Sequence, residues 1–134
     1  MKTATRRLPP VAAVVSFIDS INRGDVDGLA ALMTDDHELR VFAEAPLAGR
    51  DANVAAWRGY ASSFPDYVIY PHRIAERLGT VAVLGHTTGS HLGLPDAEES
   101  RMTLIWVAEV ENGKLRSWTL IADKPENRAR FGLE

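Results

Sequence analysis

The chain has 134 residues, 46% of them hydrophobic and 25% charged, with no cysteine and a formal net charge of −3. That length suits one domain whose core can fold without disulfides or a structural metal. The lack of cysteine excludes zinc fingers, iron–sulfur sites and thiol catalysis, and the acidic balance argues against nucleic acid as a partner.

Val11, Val14, Val15, Ile18 and Ile21 recur at helical spacing and predict an amphipathic helix over residues 9–23, entered through Pro9 and Pro10 and stopped at Gly24. The apolar stretch Val11–Ile18 is broken by Ser16 and is too short to cross a membrane. Arg6 and Arg7 precede it, but the two prolines stand where a signal peptide's apolar part would begin. The expectation is therefore a cytoplasmic protein with a mobile tail over residues 1–8. Asp25 can cap a second short helix carrying Val26, Leu29, Leu32 and Met33. Residues 39–43 read as a strand and Pro46–Gly49 as a turn. A third helix starts at Asp51, turns Val54, Trp57, Ala61 and Phe64 to the core, and ends at Phe64-Pro65.

Beyond Pro65 the period changes. Residues 67–78, 80–91, 101–111 and 114–123 are rich in Val, Ile, Thr and aromatics and read as strands. Gly79 and Asn112-Gly113 mark tight hairpins, and residues 93–100 form a polar loop. Helices segregated from a largely antiparallel sheet make an α+β domain over residues 9–124, with residues 125–134 as a C-terminal tail.

In this order the segments Asn22-Arg-Gly-Asp-Val-Asp-Gly-Leu-Ala-Ala-Leu-Met-Thr-Asp-Asp36, Gly49-Arg50, Phe64-Pro-Asp66, Gly89-Ser-His-Leu-Gly93 and Glu111-Asn-Gly-Lys-Leu115, closed by Asp123, resemble the nuclear transport factor 2-like superfamily, in its SnoaL-like, polyketide cyclase-like branch. The resemblance implies a cone-shaped curved sheet, a cystatin-like α+β barrel wrapped around three helices, with a ligand pocket at its open end. It also implies a homodimer formed through the sheet. The superfamily hosts isomerases, cyclases, dehydratases, epoxide hydrolases and non-enzymes, so fold alone does not give activity. Carried over by motif, the tyrosine donor of ketosteroid isomerases falls on Phe17, their carboxylate base on Val41, and their second acid on Ile105 or Val107. None of these can move a proton. Gly89-Ser-His91 matches the cyclases' glycine–x–histidine, but their acid/base aspartate falls on Leu120, with Asp123 further along the strand.

The remaining polar candidates are Asp123, His91, His86, Arg40 and Tyr60. Asp123 with His91 is the expected catalytic pair, for enolisation or dehydration of a small carbonyl compound. Such a role calls for a carboxyl whose pKa burial has raised. The structural alternatives are that Asp123 terminates the last strand and that His91 satisfies a strand-end backbone group. The expected pocket is lined by Phe17, Arg40, Phe42, Trp57, Tyr60, His86, Trp106, Trp118 and Leu120. His37 and His72 read as surface residues, and Asp35-Asp36 and Glu98-Glu99 as cap and loop charges. No histidine spacing suits a metal, and no glycine pattern suits a cofactor.

Two registers are open for the last hairpin. If Glu111 pairs with Lys114 and the pairing continues unbroken, Trp106 faces Thr119. Asp123 then lies inside, and Trp118 with Ile105 and Val107 forms an outer apolar patch suited to a dimer. A bulge near the turn instead brings Trp118 and Leu120 inside. The functional expectation is a pocket for a small apolar or aromatic ligand, with acid/base catalysis of isomerase, cyclase or dehydratase type. The alternative is a non-catalytic ligand-binding or dimerisation module.

Overall fold

The computed structural model describes residues 7–134, so most of the expected 1–8 tail lies outside the described residues. Helix α1 (Pro10–Arg23) buries Ala13, Val14, Phe17, Ile18 and Ile21. Its exposed side includes Val11 and Val15, although both fit the apolar stripe. Gly24, at φ 65°, ends the helix as a left-handed cap, its N–H bonding to the Ile21 carbonyl. Helix α2 (Val26–Ala31) starts where the Asp25 carboxylate accepts the Gly28 N–H at 2.9 Å.

Strand β1 (Met33–Val41) begins six residues earlier than the apolar run that predicts a strand from residue 39. Charged Asp35 and Asp36 and an irregular register between Met33 and Glu38 conceal its alternation. After β2 (Leu47–Ala48), helix α3 (Arg50–Ser63) crosses β1. It is followed by β3 (Val68–Arg77), β4 (Thr80–Thr88), the short α4 (Asp96–Glu99), β5 (Leu104–Glu111), β6 (Lys114–Ala122) and α5 (Pro125–Phe131). The six strands lie in the order β2-β1-β6-β5-β4-β3, with β1 and β6 parallel and the other pairs antiparallel. This mixed sheet is not closed into a barrel. Its inner face packs Trp106, Ala108, Trp118, Val81 and Val83 against Phe17, Ile18 and Ile21 of α1.

The last hairpin turns through Asn112 (φ 54°) and Gly113 (φ 78°), both left-handed as a two-residue type I′ turn requires. Glu111 faces Lys114 and Val110 faces Leu115, but Glu109 then faces Ser117. Arg116 is therefore the extra residue of a bulge. Beyond it Ala108 opposes Trp118 and Trp106 opposes Leu120, so both Trp118 and Leu120 point inward. The unbroken register is thereby overturned. Trp118 is 2% exposed and packs on Phe17, with ring centroids 5.0 Å apart.

The outer face departs from expectation for a second reason. Residues 125–134 are not a tail: α5 returns the chain to the sheet. There Leu133 (1% exposed), with Phe131 packed alongside, joins Ala82, Leu84, Ile105 and Val107 in a second apolar cluster. The patch expected to pair two copies through Trp118, Ile105 and Val107 has lost its tryptophan to the interior, and its remainder is covered by the chain's own end. Among the described residues no helix is long and apolar enough to cross a membrane.

Candidate functional site

Between α3 and the inner face of β1, β5 and β6 lies a cavity of about 190 Å³, lined by Leu39, Val41, Ala56, Trp57, Tyr60, Tyr67, His91, Trp106, Trp118 and Leu120. Each wall follows from local structure. Leu39 and Val41 are alternate residues of β1 and sit opposite Trp118 and Leu120 in the parallel register. Ala56, Trp57 and Tyr60 come from α3, Tyr60 lying three to four residues beyond the adjacent pair and so on the same side. Tyr67 follows the turn that Phe64-Pro65 imposes. His91 lies just past the end of β4, where Gly89, at φ 70°, lets the chain press against the Asp66 carbonyl; a Cβ there would collide with it.

The polar end of the cavity is one hydrogen-bonded pair. The Tyr60 hydroxyl oxygen accepts the His91 backbone N–H at 3.1 Å and lies 2.9 Å from His91 Nδ1. With its oxygen accepting the N–H, the phenol can give its proton to Nδ1, an arrangement in which the imidazole proton sits on Nε2. Burial pushes the Tyr60 phenol above its ordinary pKa, against the lowering effect of the His91 N–H. Tyr67, held edge-on to Tyr60 with centroids 5.0 Å apart, is pushed further up, chiefly by burial and then by Tyr60 and the Glu99 carboxylate. Both phenols stay protonated through the neutral range.

Glu99 is a buried carboxylate, 1% exposed, not a loop charge. From α4 it accepts the Thr87 hydroxyl and, at 3.4 Å, the Ser90 N–H, which pins the segment carrying His91. His37 is likewise buried instead of exposed. Its Nδ1 donates to the Leu115 carbonyl at 2.7 Å, and burial lowers its pKa.

Of the residues expected at the site, Trp57, Tyr60, His91, Trp106, Trp118 and Leu120 meet at this cavity. The others do not. Phe17 lies beneath Trp118 in the core. Arg40 is exposed and paired with Glu38 at 2.8 Å. Phe42, at φ 50°, turns outward and is 52% exposed. His86 shares the outer side of β4 with Leu84, stacked on Tyr70 at 4.7 Å and 2.7 Å from His72.

Asp123 is the main correction. It borders a separate surface recess with Pro125, Arg128 and Glu134. Its carboxylate takes both arms of Arg128, at 2.6 and 2.8 Å, together with the Thr103 hydroxyl. The Arg128 hydrogen bonds hold its pKa down at about 2, the reverse of the raised value a catalytic acid needs. The bulge at Arg116 turned its side of β6 outward, and α5 supplied the partner. Asp123 and His91 thus share no cavity.

Tyr67, Leu39, Val41 and Ala56 are the lining residues that sequence reading missed. For Leu39 and Val41 the signal was present as period-2 spacing in β1; for Tyr67 nothing in its spacing distinguishes a strand aromatic from a pocket wall. Among the described residues no three His, Cys, Asp or Glu side chains converge as metal ligands.

The mixed six-stranded sheet thus carries α1 and α3 on its inner face, with an aromatic cavity between α3 and the sheet. The profile of the SnoaL-like domain matches residues 14–118, and the chain belongs to that family. No curated protein sequence matches it. Among solved structures, a cystatin-fold protein of Novosphingobium aromaticivorans superposes with a TM-score of 0.73 at 18% identity, over 85% of this chain and 98% of that one. A polyketide cyclase candidate from Sinorhizobium meliloti gives 0.69 at 19% identity, over 85% and 95%. An LEH-like epoxide hydrolase of M. tuberculosis gives 0.67 at 18% identity, over 85% and 78%. At such identities the likeness establishes the fold, and the activities belong to those proteins.

Proposed function

We propose that the chain binds a small apolar or aromatic ring compound in the α3–sheet cavity. The observation that carries this is the lining: aromatic and aliphatic walls around about 190 Å³, with one phenol–imidazole pair at the edge. An engineered apolar cavity of about 150 Å³ holds benzene, so this volume suits a single substituted ring. All three tryptophans of the chain line the cavity, so intrinsic fluorescence reports occupancy directly. Titration with toluene and cyclohexanone is expected to change the emission and raise the melting temperature of the native state. Ala56→Trp, which fills the cavity from the exposed side of α3, is expected to abolish both effects. No response up to the solubility limit of either compound would overturn the reading.

A second reading, acid/base turnover of isomerase, cyclase or dehydratase type, is favoured by the Tyr60–His91 hydrogen bond, which links a protonated phenol to an exposed imidazole. Val41 and Leu120, where related enzymes place carboxylates, present only aliphatic groups to the cavity, so Tyr60 and His91 would act without one. Turnover of a ring ketone that is lost in both Tyr60→Phe and His91→Gln, with binding retained, would establish it; turnover surviving in either variant would remove it. Residence in the cytoplasm and pairing of two copies through the sheet belong to the same proposal. Because α5 covers Ile105 and Val107, pairing is left the part of the sheet that α5 leaves bare, and sedimentation velocity reads the outcome as dimer or monomer.

A further inference from the structure

We propose that Tyr67 is the polar anchor of the cavity, its phenol O–H donating to a ligand carbonyl oxygen, so that the site selects uncharged ring ketones and aldehydes over hydrocarbons of the same shape. This rests on the reading of the cavity as a ligand site and adds the chemistry by which the ligand is chosen.

The argument is an inventory of hydrogen-bonding groups. Among the ten lining residues, polar side-chain atoms occur only on Tyr60, Tyr67, His91 and the three tryptophans, whose indole N–H groups are donors alone. Tyr60 and His91 Nδ1 are committed to one another, and the Tyr60 oxygen also takes the His91 N–H. The Trp57 Nε1–H is a donor enclosed without a partner. The Tyr67 hydroxyl makes no hydrogen bond among the described residues, although its ring is fixed by the edge-on contact with Tyr60 and lines the cavity. The free capacity of the walls is therefore donor in kind, with neither a carboxylate nor an amide to receive a ligand's proton.

A carbonyl oxygen brings two lone pairs and no proton, which is the complement of such a wall. A hydrocarbon leaves the phenol proton unpaired inside an apolar enclosure, an outcome that costs more than a missing contact at the surface. A carboxylate ligand would bring a charge into walls that hold no cation, since Arg40 lies outside with Glu38. Burial, with the neighbouring Tyr60 and the Glu99 carboxylate, keeps the Tyr67 hydroxyl protonated and so available as a donor.

The test uses an isosteric pair, acetophenone and α-methylstyrene, which differ in a carbonyl oxygen against a methylene group, with benzoate as the charged analogue. Calorimetric titration of the intact chain is expected to give acetophenone at least a tenfold lower Kd than α-methylstyrene, and no binding of benzoate. Tyr67→Phe keeps the ring packing. It is expected to bring acetophenone to the level of α-methylstyrene, while the latter changes by less than twofold and so certifies an intact cavity. Equal binding of the pair by the unmodified chain, or a preference that survives Tyr67→Phe, would overturn the role of Tyr67 and leave the cavity reading standing. Failure of both neutral ligands to bind would refute the cavity reading, and this inference with it.

Discussion

Asp123→Asn separates a structural carboxylate from a catalytic one. The side chain is 11% exposed and accepts two hydrogen bonds from Arg128, one helical turn into α5, so it ties α5 to the end of β6. Its pKa falls from 3.8 to about 2 on folding. A drop of about 1.8 corresponds to at most about 2.4 kcal/mol of stability. Arg128 is 37% exposed, so solvent screening reduces the expected contribution to about 1 kcal/mol. Because the folded pKa is the lower one, this stability is fully present above about pH 4 and is lost as the pH falls through about 2. Asp123→Asn is therefore expected to lower the melting temperature by about 3–5 °C at pH 7 and to match the parent chain near pH 2. Thermal unfolding at pH 7, 4 and 2.5 reads this, together with ligand titration at pH 7. A variant as stable as the parent at pH 7, yet unable to bind or turn over ligand, would refute the latch and restore Asp123 to the site.

Leu133→Ala removes a side chain that is 1% exposed against Ala82, Leu84, Ile105 and Val107 and is expected to cost about 2–3 kcal/mol in urea unfolding; a loss below about 1 kcal/mol would mean that α5 does not seal the outer face. His37 is buried with its pKa lowered, so the unfolded chain takes up a proton near pH 6.5 that the folded chain refuses, and stability falls as the pH drops through about 6.5, by at most about 1.4 kcal/mol per pH unit for one group. His37→Leu is expected to flatten that part of the stability–pH curve; an unchanged slope would place the titration elsewhere.

The chain's elements were legible because α1, α3 and the four long strands carry their own periodicity, and Gly24, Phe64-Pro65 and Asn112-Gly113 mark their ends. Most of the cavity wall was legible for the same reason. The polar chemistry was not, because it depends on how the chain folds back between partners. Tyr60 meets His91 across 31 residues, and Arg128, although close to Asp123 in sequence, reaches it only through a helix that no periodicity announces. His37 follows Asp35 and Asp36, which conceal the alternation of β1, so a residue anchored in the interior by the Leu115 carbonyl read as solvent-facing. The hairpin turn was readable and its register was not, since the offset arises at Arg116, an exposed arginine with no local mark of a bulge.

That bulge has a genetic consequence. Loss of the single codon for Arg116 would remove the bulge and leave the partners beyond it in place, because Glu109 already faces Ser117, Ala108 faces Trp118 and Trp106 faces Leu120. One residue can thus enter or leave this hairpin without turning the sides of β6. Kept in an unbroken ladder, the same residue would bring Ser117, Thr119 and Ile121 inward in place of Trp118 and Leu120. The bulge is therefore a tolerance for insertion, which keeps the apolar wall of the cavity through a change of hairpin length.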